Sequence, residues 1–316
     1  MRELRAAVVG AGRLGSLHAA KYASLDAVRL ACVVDIDPER AARVAAQYGA
    51  EALSDYRALG GKADLVTVAS PGVTHHEIAS HLLSAGYDVL LEKPMATTLA
   101  EARSLADTAG RSGRILQVGH LERFNPAIRH LRSIVKAPRF VECHRLAPFT
   151  ERGTDVDVIL DLMVHDLDVI LSLTRAAVVS VEAVGVAVLT DQIDVANARI
   201  RFSDGLIANL NTSRVAPRRE RKIRFFQSDA YISVDYEARR IQVYRKSPAP
   251  PGSAYPVISA EQIELGEGDP LADEVASFVA SVRSRTTPAV TAEDGLRTIE
   301  LIERIKAEME KPAPQA

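Results

Sequence analysis

Tryptophan is absent from the 316-residue chain, aromatic residues make up 5% of it, and cysteine occurs only at Cys32 and Cys143. Each cysteine sits in an apolar, strand-like run. That pattern excludes a disulfide framework and suits small buried hydrophobes in a reducing compartment. No run of about 18 apolar residues occurs, so no membrane-spanning helix is expected. Met1-Arg2-Glu3-Leu4-Arg5 passes straight into a strand without an apolar segment and small-residue cleavage site, which makes the cytoplasm the expected compartment. Charge of one sign is not in excess, with 39 Lys and Arg against 41 Asp and Glu. There is then no global field for nucleic acid or an anionic membrane, and any basic site must be local. Internal repeats and low-complexity tracts are lacking as well.

What is present is the composition of a globular protein: 47% hydrophobic and 25% charged residues, enough to pack a core. At this length two domains are expected. The first 120 residues alternate short β-branched runs with helical patterns, the signature of βαβ units in a parallel sheet. Strands are predicted at about Ala6–Val9, Arg29–Asp35, Leu65–Ala69, Asp88–Leu91 and Ile115–Val118. After residue 120 a helix is predicted at about Pro126–Val135, a strand at Arg139–Arg145 and a helix at Val156–Leu173. Strand-like stretches follow at Val178–Leu189, Ala196–Phe202, Leu206–Ser213, Lys222–Gln227, Ala230–Asp235 and Arg240–Tyr244, reading as an antiparallel meander. Ser247–Tyr255 reads as an exposed loop, 270–284 and 291–310 as closing helices, and Lys311–Ala316 as a frayed tail.

Gly10-Ala11-Gly12-Arg13-Leu14-Gly15 follows one strand and opens a helix. Its glycines allow the tight turn, the approach of a pyrophosphate and helix-on-sheet packing. Asp35 ends the next strand 20 residues beyond Gly15, where a carboxylate accepts from both ribose hydroxyls and repels a 2′-phosphate. The cofactor expected is therefore NAD, although Asp35 also suits a plain helix cap. Ser70-Pro71-Gly72-Val73-Thr74-His75 and Glu92-Lys93-Pro94 close the third and fourth strands at the carboxyl edge, where such folds bind ligands. Taken alone, His75 reads as a helix-terminus residue and Lys93 as a surface lysine. Asp161, His165 and Asp168 fall at spacings of four and three in a helical pattern, so two acids flank one imidazole and raise its basicity. A metal site is the alternative for that trio, but a single helix without cysteine rarely supplies all ligands, and no metal is expected.

Together these motifs resemble the Gfo/Idh/MocA oxidoreductase family nearly end to end: Gly10, Gly12 and Gly15, Ser70-Pro71 with His75, Glu92-Lys93-Pro94, and Asp161 with His165 and Asp168. The resemblance implies an α/β Rossmann domain over 1–120, followed over 121–316 by an α+β domain with a large, mostly antiparallel open sheet. The closing helices are free to pack back on the first domain. It implies a catalytic Lys93 and an acid/base His165 supported by Asp161. It further implies a cofactor resting on the glycine loop with Arg13 and Leu14, on Asp35, Ser70, Pro71, His75, Glu92 and Lys93, and a homodimer or homotetramer formed through the open sheet.

Family members often carry two glycines where this chain has Asp157-Val158-Ile159-Leu160, which points away from glucose and inositol. Gly119-His120-Leu121-Glu122-Arg123-Phe124-Asn125-Pro126 and Asp155–Met163 look most like the nucleotide-sugar branch. That branch implies oxidation of the 3-hydroxyl of UDP-N-acetylglucosamine to a ketone, which an aminotransferase then consumes in lipid A or surface-glycan synthesis. A diphosphate needs cations. Arg123, Arg145 and Arg152 are the residues expected to supply them, with Asp168 also on the substrate, whereas Arg214, Arg218, Arg219 and Arg221 read as a solvated loop or subunit contact. A dehydrogenase of a free sugar or inositol, and a non-catalytic NAD-bound sugar sensor, remain the alternatives.

Overall fold

The structure, a computed structural model, describes residues 2–150, 156–249, 251 and 254–311. In chain order the elements are β1 Leu4–Val9, α1 Arg13–Ser24, β2 Val28–Val34, α2 Pro38–Tyr48, β3 Glu51–Leu53, β4 Leu65–Val68, α3 His75–Ser84, β5 Asp88–Glu92, α4 Leu99–Ser112, β6 Leu116–Gly119 and α5 Pro126–Ile134. There follow β7 Phe140–Leu146, α6 Val164–Leu173, β8 Val178–Val186, β9 Val195–Phe202, β10 Ile207–Ser213, β11 Glu220–Phe226, β12 Ala230–Asp235, β13 Arg240–Ser247, β14 Val257–Glu264, α7 Pro270–Ser284 and α8 Ala292–Met309. None of the described helices is long and apolar enough to cross a membrane.

The chain divides into two compact units. The first comprises Met1–Phe124 and Asp269–Ile299. Its six strands form a parallel sheet in the order β3-β2-β1-β4-β5-β6. β4, β5 and β6 are buried at every position, as expected of strands covered on both faces. The helices between them carry local start and stop signals. Asp37 caps α2 by accepting from the amides of Glu39 and Arg40, with Pro38 in the first turn, and Gly49 ends it at φ +65°, the left-handed backbone that glycine takes without strain. The core of this unit includes Ala19 and Tyr22 of α1 together with Val275, Phe278, Val279 and Val282 of α7. The returning segment therefore completes a core begun by the first strands. The order reverses between β1 and β4, and the crevice outside the carboxyl ends of those strands is the ligand position of open α/β sheets.

The second unit comprises Asn125–Gly268 and Glu300–Ala316. Eight strands form one sheet in the order β14-β13-β12-β11-β7-β10-β9-β8. Every pair is antiparallel except β7 with β10, which run parallel. Strict alternation of buried and accessible residues in β7 and β9 gives the sheet one apolar face, which includes Val141, Cys143, Ile200, Leu210 and Phe225. The other face carries an aromatic row in which Phe140, Phe226, Tyr231 and Tyr244 touch in sequence. Both cysteines are free and buried.

Two strands escape the sequence reading, β3 and β14. β3 has three residues, and β14 is accessible at nearly every position, so neither shows an alternation of burial. The predicted helix at 156–173 is also not uniform. It opens with a π-helical turn over Ile159–Met163, in which the Val164 amide donates to the Ile159 carbonyl, before continuing as α6.

Candidate active site

Three loops at the carboxyl edge of the parallel sheet form the candidate site of the first unit. Gly10 follows β1 with φ +94°, and a Cβ there would lie 2.6 Å from the Ala69 carbonyl oxygen. A Cβ on Gly15 would fall 1.7 Å from the Gly10 carbonyl oxygen. Only glycine lets the loop and the start of α1 approach this closely. Gly12 differs: a Cβ there would meet nothing within 4 Å, and as N-cap of α1 it offers no side-chain cap to the helix amides. Uncapped amides facing open space at the positive end of a helix fit the pyrophosphate of a dinucleotide. Arg13 is exposed and Leu14 half-buried in that first turn.

Asp35, 7% exposed, follows β2. Its Oδ2 accepts from the Ala11 amide at 2.7 Å and its Oδ1 from the Asp37 amide at 2.9 Å, while Arg40 stands 3.6 Å away. The helix cap is Asp37, leaving Asp35 to clamp the glycine loop to the second strand. Its oxygens keep lone pairs for ribose hydroxyls. Beside it lies a cavity of about 500 Å³ lined by Gly10, Asp35, Tyr56, Ser70, Pro71 and Thr74, among others. Ser70 closes β4 with its hydroxyl 2.8 Å from that of Thr74.

Four residues expected on the ligand side are buried. His75 is 1% exposed; its Nδ1 and Nε2 lie 2.7 and 2.9 Å from the carbonyls of Pro94 and Ser70, and burial pushes its pKa down. It ties the β4 and β5 loops together. Glu92 has Oε1 on His18 Nε2 at 2.7 Å, and its Oε2 accepts from the Lys93 amide at 3.3 Å. Arg145 on β7 is 2% exposed, and its Nε and Nη2 donate to Asp166 at 2.9 and 2.8 Å. Asp168 is fully buried. His75, Glu92 and Arg145 thus each bond to other groups of the protein. The sequence could not show this, because residue type and spacing do not give the direction of a side chain at a strand end.

Lys93 is half-buried at the end of β5, and its peptide bond to Pro94 is cis. Arg123 is nearly buried in a short 3-10 turn, 3.6 Å from Asp294. In the second unit, Asp157 Oδ1 accepts from the amides of Ile159 and Leu160, and Lys306 lies 2.5 Å from its other oxygen. Asp157 is thus the cap that starts the helix carrying Asp161 and His165, both half-buried. The π turn shifts Asp161 from the face a regular α-helix would give it, a distortion frequent at functional positions. Arg152 lies outside the described residues.

Residues 4–120 match the model for an oxidoreductase family with an NAD-binding Rossmann fold, and residues 127–233 match the GFO/IDH/MocA C-terminal domain. The chain belongs to the Gfo/Idh/MocA oxidoreductase family. A UDP-N-acetylglucosamine 3-dehydrogenase from Acidithiobacillus ferrooxidans is 40% identical over 89% of this chain and 90% of its own length. A solved structure of that enzyme, GnnA, superposes with a TM-score of 0.90 at 37% identity, covering 98% of this chain and 99% of the other. A myo-inositol 2-dehydrogenase from Thermotoga maritima is 26% identical over 92% of each chain. For this Gfo/Idh/MocA member the cofactor is NAD, the group that the open α1 terminus and Asp35 fit.

Sequence reading missed three residues of this neighbourhood: Asp166, His18 and Glu274. A histidine on the buried face of α1 and a glutamate on the buried face of α7 were the available signals, since charged groups are seldom buried without a task.

Proposed function

We propose that this oxidoreductase uses NAD to oxidise the 3-hydroxyl of a UDP-N-acetylglucosamine-type sugar nucleotide to a ketone. The observation that carries the reading is the 40% identity, spread over 89% of the chain, to an enzyme named for that reaction. NAD, when bound, supplies a hydride acceptor. The protein's part is proton transfer and orientation. As the carbon loses hydride, the hydroxyl proton passes to a basic side chain, for which Lys93 and His165 are the proposed candidates, and the carbonyl forms. Asp161 supports His165, and the half-buried amine of Lys93 at the end of β5 is a group able to exchange a proton. Arg123 and Arg152 are the proposed partners of the diphosphate.

The ketone suits an aminotransferase that installs an amine in lipid A or surface-glycan synthesis, with the enzyme cytoplasmic. The aromatic row on the open sheet face, with Val184 and Val186 exposed on edge strand β8 of the same sheet, supports a homodimer or homotetramer. The test is incubation with NAD and a panel of UDP-sugars, free sugars and inositols, read by mass spectrometry for loss of two hydrogens. Loss from UDP-N-acetylglucosamine is expected. Oxidation of a free sugar or inositol alone would overturn the substrate while leaving an oxidoreductase.

A further inference from the structure

Glu274, on the buried face of α7, has no exposed surface, and neither of its carboxyl oxygens has a hydrogen-bond partner among the described residues. One of those oxygens lies within 4.8 Å of a ring nitrogen of His18 and of a carboxylate oxygen of Glu92. Two buried carboxylates at this separation cannot both carry charge cheaply. Their surroundings separate them. Glu92 faces the ring nitrogen of His18 on one oxygen and receives the Lys93 amide on the other, the arrangement that suits a carboxylate. Glu274 receives no donor, and a carboxyl group without one is far less costly to bury protonated than ionised.

Two neighbouring polar groups are uncharged. Tyr22 of α1 has its hydroxyl 2.8 Å from that of Thr67. Gln117 of β6 donates its Nε2 to the Glu274 backbone carbonyl at 3.3 Å. Burial, followed by the charge of Glu92, drives the Glu274 pKa well above the ordinary carboxylate range.

His18, Glu92 and Glu274 are also ligand types for a metal ion, and no other such grouping occurs among the described residues. The 2.7 Å contact between His18 and Glu92 argues for a proton instead. Two donors on a tetrahedral zinc with bonds of about 2.0–2.1 Å stand roughly 3.3 Å apart.

We propose that Glu274 is a positioning residue that works uncharged: facing the His18–Glu92 pair as a neutral acid, it leaves Glu92 on the amide of Lys93 and so fixes the backbone from which Lys93 acts. The catalytic half of this rests on the reading of Lys93 given above. An acid whose pKa is raised by folding costs increasing stability as pH climbs from its unfolded value, about 4.3, toward its folded one. Glutamine has the shape of the neutral acid and cannot ionise.

The experiment compares wild type, Glu274→Gln and Glu274→Ala by thermal unfolding across roughly pH 5 to 8, by kcat and KM, and by elemental analysis. The Tm of Glu274→Gln relative to wild type is expected to rise steadily with pH, with kcat within about threefold of wild type. Glu274→Ala is expected to lose at least about tenfold in kcat with KM for NAD little changed, the pattern of a lost support rather than a lost ligand contact. A Gln variant that is destabilised equally at every pH, or that fails to fold, overturns the proposal, as does one metal ion per chain in the purified wild type. Should Lys93→Ala keep full turnover while the pH-dependent gain of Glu274→Gln persists, the neutral acid stands and its catalytic role is overturned.

Discussion

Replacing Asp166 by alanine removes the carboxylate that faces Nε and Nη2 of Arg145. The pair is bidentate at 2.8 and 2.9 Å, both side chains are about 3% exposed, and the guanidinium also lies 5.7 Å from the centre of the Tyr236 ring. A buried cation deprived of its partner costs about 3–5 kcal/mol. For a unit of this size each kcal/mol lowers Tm by roughly 2–4 °C, so the expected drop is on the order of 6–20 °C. Much of that cost is the buried charge losing this acceptor, not the value of the pair. Arg145→Met combined with Asp166→Leu should therefore recover most of it. Thermal unfolding followed by circular dichroism measures all three proteins. A single variant within about 2 °C of wild type, or a double variant no better than the single, would refute the account of Arg145 as a strut. The same account says that Arg145→Ala harms stability and kcat more than affinity for a free UDP ligand.

Lys93→Ala should retain NAD binding and lose at least about a hundredfold in kcat, the lower range for positioned proton-transfer groups; near-normal turnover would remove Lys93 from the site. Asp35→Ala should weaken NAD by about tenfold or more, since hydrogen bonds to a charged group are worth roughly 1.5–3 kcal/mol. Calorimetric titration that finds unchanged affinity would count against ribose at Asp35. At the opposite edge of the parallel sheet, hydrogen bonds from Arg5 hold Asp64 down at about 2. A depressed carboxylate stabilises the fold above its unfolded pKa, about 3.9, and loses that contribution as pH falls toward the folded value. The Tm difference between wild type and Asp64→Asn should therefore narrow from about pH 5 down to pH 2, and a constant difference would contradict it.

The parallel sheet was legible because β1, β4 and β5 are short β-branched runs broken by glycine, proline or acid, and periodicity alone separates them from the helices. The glycine loop was legible for a related reason: its residue types answer to local backbone geometry, as Gly10 and Gly15 show. β14 was not, because Val257–Glu264 is accessible on both faces and carries no alternation to read. Nor was the parallel pairing of β7 with β10, which depends on contacts between strands distant in the chain. In the site, residue types and their elements were legible, whereas bonding partners were not. His75, Glu92 and Arg145 sit in the expected elements, but their partners Pro94, His18 and Asp166 are chosen by tertiary packing. The π turn before α6 is likewise invisible to a pattern that assumes a uniform helical period.

The first unit closes its core with Val275, Phe278 and Val282 of α7, residues made only after the whole eight-stranded sheet has been synthesised. On the ribosome, the apolar surface of α1 must then wait uncovered while a second set of strands emerges and pairs. Folding of the nucleotide-binding unit is thus deferred to the last stage of translation. A chain stalled before α7 would present an unfinished Rossmann core to chaperones and proteases, even though every residue of the glycine loop had long been in place.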